Sequence, residues 1–98
     1  MGDSYLYYVP MMKALSDDTR LTIIDLLSCG EMCACHLLEE VKISQSTLSY
    51  HMKILLDSGL VNGEKMGAWV RYTLDADKLE DILNFLNKLT TPKTECLY

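Results

Sequence analysis

The spacing of apolar residues changes twice along the chain, and this restricts the fold more than any other feature of the sequence. Up to Ser58 apolar residues recur at helical spacing, and the same spacing returns from Asp75. Between these points, residues 60–65 and 68–74 form two short runs that contain β-branched and aromatic side chains. Met66 and Gly67 separate the runs and suit a tight turn, so this stretch is predicted to be a β-hairpin.

Four helices are predicted before the hairpin and one after it. Ser16 and Asp17 suit the cap of the second helix, Ser44 suits the cap of the fourth, and Gly59 suits its end. Pro10 is expected to kink the first helix or to mark a second start, because proline lacks a backbone donor. The predicted helices span about residues 5–15, 18–28, 33–41, 45–58 and 75–90.

Two short helices joined by residues 42–44 and followed at once by a hairpin are typical of a winged helix-turn-helix. The expected fold is mainly α with a β-hairpin wing, in the α+β class. Its recognition helix lies at about 45–58 and its wing at about 60–74. We expect one domain over residues 1–90 and a flexible tail over residues 91–98, since a chain of 98 residues suits a single domain.

The composition points to a cytoplasmic protein without membrane contact. Of the residues, 49% are hydrophobic, but no apolar stretch approaches the roughly 18 residues that span a bilayer. Asp3 stands where a signal peptide would carry a basic region. In the reducing cytoplasm the four cysteines are expected to be thiols, available to metals or oxidants, rather than disulfides.

The net charge of −5 argues against a nucleic-acid partner until its distribution is considered. Residues 42–73 carry four basic side chains and two acidic ones, whereas the rest of the chain carries five basic and twelve acidic ones. The middle third is therefore locally positive. This points to one face as the contact for double-stranded DNA.

One side of the predicted fourth helix carries mainly short side chains, several hydroxyl groups and one basic residue. Such groups can enter a major groove and form hydrogen bonds with base edges and phosphates. Its apolar side carries Leu48, Met52 and Leu55. His51 lies toward that side, so packing or a phosphate contact is as open for it as base reading. A merely solvated helix face is the alternative. The residues predicted to contact DNA, including two in the hairpin, are Ser44, Gln45, Ser46, Thr47, Ser49, Tyr50, His51, Lys53, Lys65 and Arg71.

Three motifs in order resemble the ArsR/SmtB family of metal-responsive repressors. These are ALSDDTRL at 14–21, ISQSTLSYHM at 43–52 and DSGLV at 57–61, and the likeness covers about residues 11–74. Asp18 departs from the proline of many relatives, but either residue suits a helix start. The resemblance implies a homodimer formed by the first and last helices, residues 5–15 and 75–90. It also implies operator binding without ligand and release on ligand binding.

The segment EMCACHL at 31–37 resembles the ELCxCDL element of arsenite- and cadmium- or lead-responsive members. The resemblance implies that Cys33 and Cys35 are metal ligands. Arsenite or antimonite is the expected inducer, with cadmium, lead or zinc as an alternative and no organic cofactor. Two small buried cysteines that serve only packing are the competing interpretation.

The C-x-C spacing adds a geometric condition. Residues i and i+2 point about 200° apart on a helix but to the same side of extended backbone. Cys33 and Cys35 therefore share an ion only if the start of the third helix is unwound. We hypothesise that ligand binding distorts this start and shifts the recognition helix relative to that of the second subunit.

Arsenite prefers three sulfurs, so a third donor is expected. Cys29 lies four residues before Cys33 and is slightly favoured by proximity; Cys96 on the tail and an exogenous thiol are the alternatives. His36 would broaden the site toward zinc or cadmium, or it is a surface residue. Zinc and nickel sites of the kind found on the last helix are excluded because that helix lacks histidine.

Three other functions remain open from the sequence. Cys29 and Cys96 would report oxidants or persulfides if they form a disulfide. The acidic composition mildly favours a winged helix that binds protein rather than DNA. A thiol enzyme is disfavoured, because no C-x-x-C adjoins a strand-helix-strand unit and Cys33 has no evident general base. The chain is therefore not expected to be an enzyme.

Overall fold

The computed structural model describes residues 5–92. A 3-10 turn at Tyr5–Tyr7 precedes the first helix, and Pro10 lies in the first turn of that helix. The predicted first helix is thus interrupted, and Pro10 marks a second start. The helices are α1 (Val9–Leu15), α2 (Asp18–Leu27), α3 (Ala34–Val41), α4 (Gln45–Ser58) and α5 (Ala76–Thr90), and the strands are β1 (Met32–Cys33), β2 (Val61–Met66) and β3 (Trp69–Leu74).

The predicted hairpin is part of a three-stranded antiparallel sheet in the order β1-β3-β2. Strands β2 and β3 pair from Val61 opposite Leu74 to Met66 opposite Trp69, and Gly67 turns the chain with a φ of 66°. The third strand, β1, was not predicted. It pairs Cys33 with Arg71 on β3, so the C-x-C segment and the wing belong to one sheet.

Caps fix the helix-turn-helix at both ends of α4. Ser44 Oγ accepts the Thr47 amide at 3.1 Å, and Gly59 closes the helix in the left-handed region, as the sequence predicts. Lys42 ends α3 with a φ of 61°, which a residue with a Cβ seldom adopts. Three residues, 42–44, therefore separate the two helices.

The core lies between the helices and the inner face of the sheet. The helical spacing of Leu21, Ile24 and Leu27 predicts one apolar stripe on α2, but Leu21 is 49% exposed, because that helix turns Ile23, Ile24 and Leu27 inward. The buried apolar residues are Met11, Ala14, Ile23, Ile24, Leu27, Leu37, Leu48, Met52, Leu55, Leu60, Val61, Tyr72 and Ile82.

The outer apolar stripe of α5 is not covered within the protomer. Ile82 is buried, but Leu83, Leu86 and Leu89 each leave about half of their surface exposed. Tyr5 is also exposed and packs on α5 through a ring contact with Phe85. None of the helices within residues 5–92 combines the length and apolarity needed to cross a lipid bilayer.

Candidate DNA-binding surface and thiol site

The outer face of α4 is a continuous polar surface. We use this name for the exposed side chains of Gln45, Ser46, Ser49, Tyr50 and Lys53. Gln45 and Ser46 lie in the first turn, where free backbone N–H groups and the helix dipole favour phosphate. The outer face of α4 thus offers exposed hydroxyl, amide and ammonium groups of the kinds that bind base edges and phosphates in a major groove.

Two of the predicted contacts have a local structural role. Ser44 Oγ accepts the Thr47 amide and also donates to Thr47 Oγ1 at 2.8 Å. Both side chains remain exposed at the start of α4. They hold the helix terminus in the conformation that presents its N–H groups.

The wing contributes two basic residues in different settings. Lys65 is exposed on β2. Arg71 on β3 is half-buried, and its Nη1 lies 3.3 Å from Glu31 Oε2. Arg71 therefore faces the strand that carries Cys33, whereas Lys65 faces solvent.

His51 does not join the outer face of α4. Only 8% of its surface is exposed, and its Nδ1 lies 3.0 Å from Arg20 Nη1. Asp17 Oδ2 is 3.8 Å from the same nitrogen. The structure thus places the buried side chain of His51 between α4 and the start of α2, rather than on the outer face of α4.

Cys33 and Cys35 meet at the start of α3. Cys33 is the N-cap, with extended dihedrals of −73° and 148°, and its Sγ accepts the backbone N–H of Cys35 at 3.2 Å. The helix begins at Ala34, one residue later than predicted, because Cys33 belongs to β1. The extended residue that a shared ion requires is therefore already present.

The local hydrogen bonds make the two thiols unequal. A hydrogen bond from the Cys35 thiol lowers the pKa of Cys33 below its usual value, and backbone N–H groups and the charge of Arg71 act in the same direction. The same bond raises the pKa of the Cys35 thiol, since Cys35 is the donor. Cys33 is consequently the first of the pair to become a thiolate, the form that binds soft metals.

The predicted third donors are not gathered with the pair. Cys29 is exposed and lines a shallow groove with Glu31 and Thr73. Among residues 5–92 no group of three His, Cys, Asp or Glu side chains is placed to hold a metal ion. His36 is exposed. Cys96 and most of the predicted tail lie outside the described residues.

The comparisons with known proteins agree with this fold. A family model described as "Bacterial regulatory protein, arsR family" matches residues 17–63. The arsenical resistance operon repressor of Staphylococcus aureus is 48% identical over 94 residues, which cover 96% of this chain and 90% of that protein. The chain belongs to the arsR family.

Two solved structures have a fold similar to that of this arsR family member. HlyU from Vibrio cholerae N16961 is similar with a TM-score of 0.76 and 31% identity, covering 92% of this chain and 98% of that one. The ArsR-like transcriptional regulator from Rhodococcus sp. RHA1 gives 0.79 and 27%, covering 87% and 78%. The predicted winged helix-turn-helix fold and the predicted family are both confirmed.

Sequence reasoning missed two features of the site. The strand β1 is two residues long. Its only indication in the sequence was that Cys33 and Cys35 can share an ion only where the backbone is extended. The second feature is Arg20, which belongs to the motif at 14–21 but was given no role in the sequence analysis. Nothing in the sequence placed its side chain against His51, which is 31 positions away.

Proposed function

We propose that this arsR family member is a transcriptional repressor that leaves its operator when arsenite or antimonite binds Cys33 and Cys35. The observation that carries the proposal is the pairing of these sulfurs at the N-cap of α3, the first helix of the helix-turn-helix. The name of the Staphylococcus aureus relative, an arsenical resistance operon repressor, supports the choice of inducer.

A second copy of the chain is proposed to cover the exposed apolar stripe of α5 together with the N-terminal aromatic residues. A small domain buries a small fraction of its apolar surface, so leaving this stripe exposed to solvent is unfavourable. A twofold dimer also places two recognition helices about one turn of DNA apart, near 34 Å.

The outer face of α4 is proposed to read base edges in the major groove, with Ser44 and Thr47 at the adjacent phosphates. Lys65 and Arg71 are proposed to contact the DNA backbone or minor groove from the wing. All of these side chains except Arg71 are exposed. The locally positive charge of residues 42–73 favours the same surface.

Release is proposed to follow from the position of the two sulfurs on different elements. Cys33 belongs to β1, which pairs with the wing strand β3, whereas Cys35 belongs to α3. Drawing the two sulfurs onto one centre pulls the sheet and the helix-turn-helix toward each other. A small displacement there changes the spacing of the two recognition helices, which the rigid duplex does not tolerate.

The two cysteines fit a soft trivalent centre as two of its three sulfur ligands. Cys29 remains the nearer source of a third sulfur in sequence, and Cys96 or an added small thiol is the other. Mass spectrometry of the arsenite complexes of Cys29→Ser and Cys96→Ser decides between them, because loss of the third ligand changes the number of protein sulfurs bound.

The proposal is tested by operator release from Cys→Ser variants, measured by fluorescence anisotropy with DNA from upstream of the gene. Wild type is expected to bind and then to dissociate on addition of arsenite. Cys33→Ser and Cys35→Ser are expected to bind with similar affinity and to stay bound. If arsenite still releases both variants from DNA, Cys33 and Cys35 are not the arsenite site. If wild type does not bind DNA at low salt, the proposed repressor function is wrong.

A further inference from the structure

Arg20 is a buried cation at the junction of three helices. Only 9% of its surface is exposed, although arginine is rarely buried without partners. Its Nε donates to the carbonyl of Ala14 at 2.7 Å and its Nη2 reaches the carbonyl of Lys13 at 3.5 Å. These carbonyls lie at the end of α1, where the guanidinium meets the negative end of the helix dipole; it shares the Lys13 carbonyl with the backbone N–H and hydroxyl of Ser16.

The remaining nitrogen of the same guanidinium reaches the recognition helix. Arg20 Nη1 lies 3.0 Å from His51 Nδ1 on α4. A guanidinium only donates, so Nδ1 is the acceptor and the proton of the neutral ring sits on Nε2. Asp17, the N-cap of α2, accepts the Arg20 amide at 3.0 Å and places a carboxylate near the buried cation.

A planar fork with fixed donor directions holds its partners in one relative orientation. Through Arg20 the end of α1, the start of α2 and the middle of α4 share that fork. The ring of His51 in turn meets the ring of Tyr50 edge-on, with centroids 5.1 Å apart. Tyr50 is 61% exposed and is the largest side chain on the outer face of α4.

We infer that Arg20 and His51 are positioning residues for DNA recognition. They fix the recognition helix and Tyr50 relative to α1, the helix that belongs to the proposed dimer contact, and thereby set which half-site spacing the dimer accepts. The inference rests on the proposed function in that it assumes a dimer bound to DNA. It assigns His51 an action through its neighbours rather than a contact with DNA.

The test measures spacing preference rather than affinity alone. Wild-type protein first selects its site from randomised duplexes, and that site is then prepared with its half-sites moved together or apart by one base pair. His51→Leu removes the acceptor and is expected to bind the selected site about tenfold more weakly, by the cost of one hydrogen bond to a charged group. The affinity ratio between the selected and shifted sites is expected to fall by a similar factor.

Three further variants separate positioning from folding and from direct contact. His51→Asn keeps an acceptor near the place of Nδ1 and is expected to restore most of the wild-type ratio. Arg20→Lys keeps the charge but loses the fork, so its ratio is expected to flatten as in His51→Leu. Lys53→Gln, on the outer face of α4, is expected to lower affinity for every spacing alike.

The outcomes of this experiment distinguish the two proposals. If wild type selects no site, the proposed DNA-binding function is wrong. If wild type selects a site while His51→Leu and Arg20→Lys show the wild-type spacing ratio, the positioning role is overturned, whatever happens to their melting temperatures. A flattened ratio in both variants, restored in His51→Asn, supports it, because a loss of folded protein alone scales all affinities equally.

Discussion

Single residues at helix starts determine the chemistry of this molecule. Cys33 caps α3 with a sulfur, where most caps use an oxygen, and receives hydrogen bonds from Cys35. Asp17 caps α2 and receives the amide N–H of Arg20. In both cases a side chain that completes a helix also stabilises its own charged form, so one contact serves the fold and the site.

The first prediction concerns the order in which the two thiols react. Because hydrogen bonding to Cys35 lowers the pKa of Cys33 and raises that of Cys35, iodoacetamide at neutral pH is expected to alkylate Cys33 several-fold faster. The rate–pH profile of each cysteine, read by mass spectrometry, checks this. Cys35→Ala is the matched control, because it removes the side-chain donor and should move the Cys33 profile to higher pH. Earlier reaction of Cys35 would contradict the assignment.

The second prediction concerns Asp17 and acid stability. The Arg20 amide lowers the pKa of Asp17, so its carboxylate stabilises the fold above the pKa of the unfolded chain and loses this effect as pH falls through the folded value. Asp17→Asn keeps a cap but not the charge. Its melting temperature is expected to lie below that of wild type at pH 7 and to converge with it in acid.

Asp17→Ala is the companion variant, because it removes the cap itself. It is expected to melt several degrees below wild type at every pH. Circular dichroism between pH 7 and pH 3 records both series. A difference between wild type and Asp17→Asn that stays constant with pH would show that the charge contributes nothing.

At the scale of elements, the sequence predicted what depends on local pattern. The bounds of α4, its caps and the two strands of the hairpin follow from spacing and from Ser44, Gly59 and Gly67. Strand β1 did not follow, because two residues are too few to show a period and their conformation comes from pairing with distant Arg71 and Tyr72. The place of His51 was likewise fixed by a tertiary contact.

The candidate site divides along the same line. Residue type and spacing were sufficient to select Cys33, Cys35 and the exposed residues of α4. The inequality of the two thiols arises from a bend between strand and helix, and the role of Arg20 from the meeting of three helices. Neither arrangement has a local signature.

The third prediction assigns a phosphate contact to the wing. Lys65→Gln is expected to reduce the slope of log affinity against log salt by about 0.9, the value for one phosphate contact on duplex DNA. Lys88→Gln, at the far end of α5, is the control and should leave the slope unchanged. Anisotropy titrations at several salt concentrations supply the slopes, and equal slopes for Lys65→Gln and wild type would exclude the contact.

At the scale of the whole molecule, the protomer exposes an apolar face that only a partner surface could bury. The face runs along α5 through Leu83, Leu86 and Leu89, each exposed by about half. The N-terminal turn adds to it, since Tyr8 stacks on Phe85 with ring centroids 4.4 Å apart. The order of the elements thus places the two ends of the domain side by side.

The fourth prediction tests this face directly. Leu86→Glu puts a charge in the stripe and is expected to convert a dimer into a monomer in analytical ultracentrifugation, because burying an unpaired carboxylate is strongly unfavourable. Operator affinity should fall with it, since two half-sites are no longer bound together. Asn84→Glu adds the same charge to the same helix outside the stripe and should remain dimeric. A dimeric Leu86→Glu would place the subunit contact elsewhere.

The wing also contains Trp69, the one tryptophan of the sequence. Its ring borders a cleft between β3 and the start of α4, beside Gln45 and Ser49. The indole therefore lies between the wing and the first turns of the recognition helix, where its emission is sensitive to both. The wild-type chain thus carries its own optical probe, and ultraviolet emission of the indole is expected to report movement of the wing against the recognition helix without any attached dye.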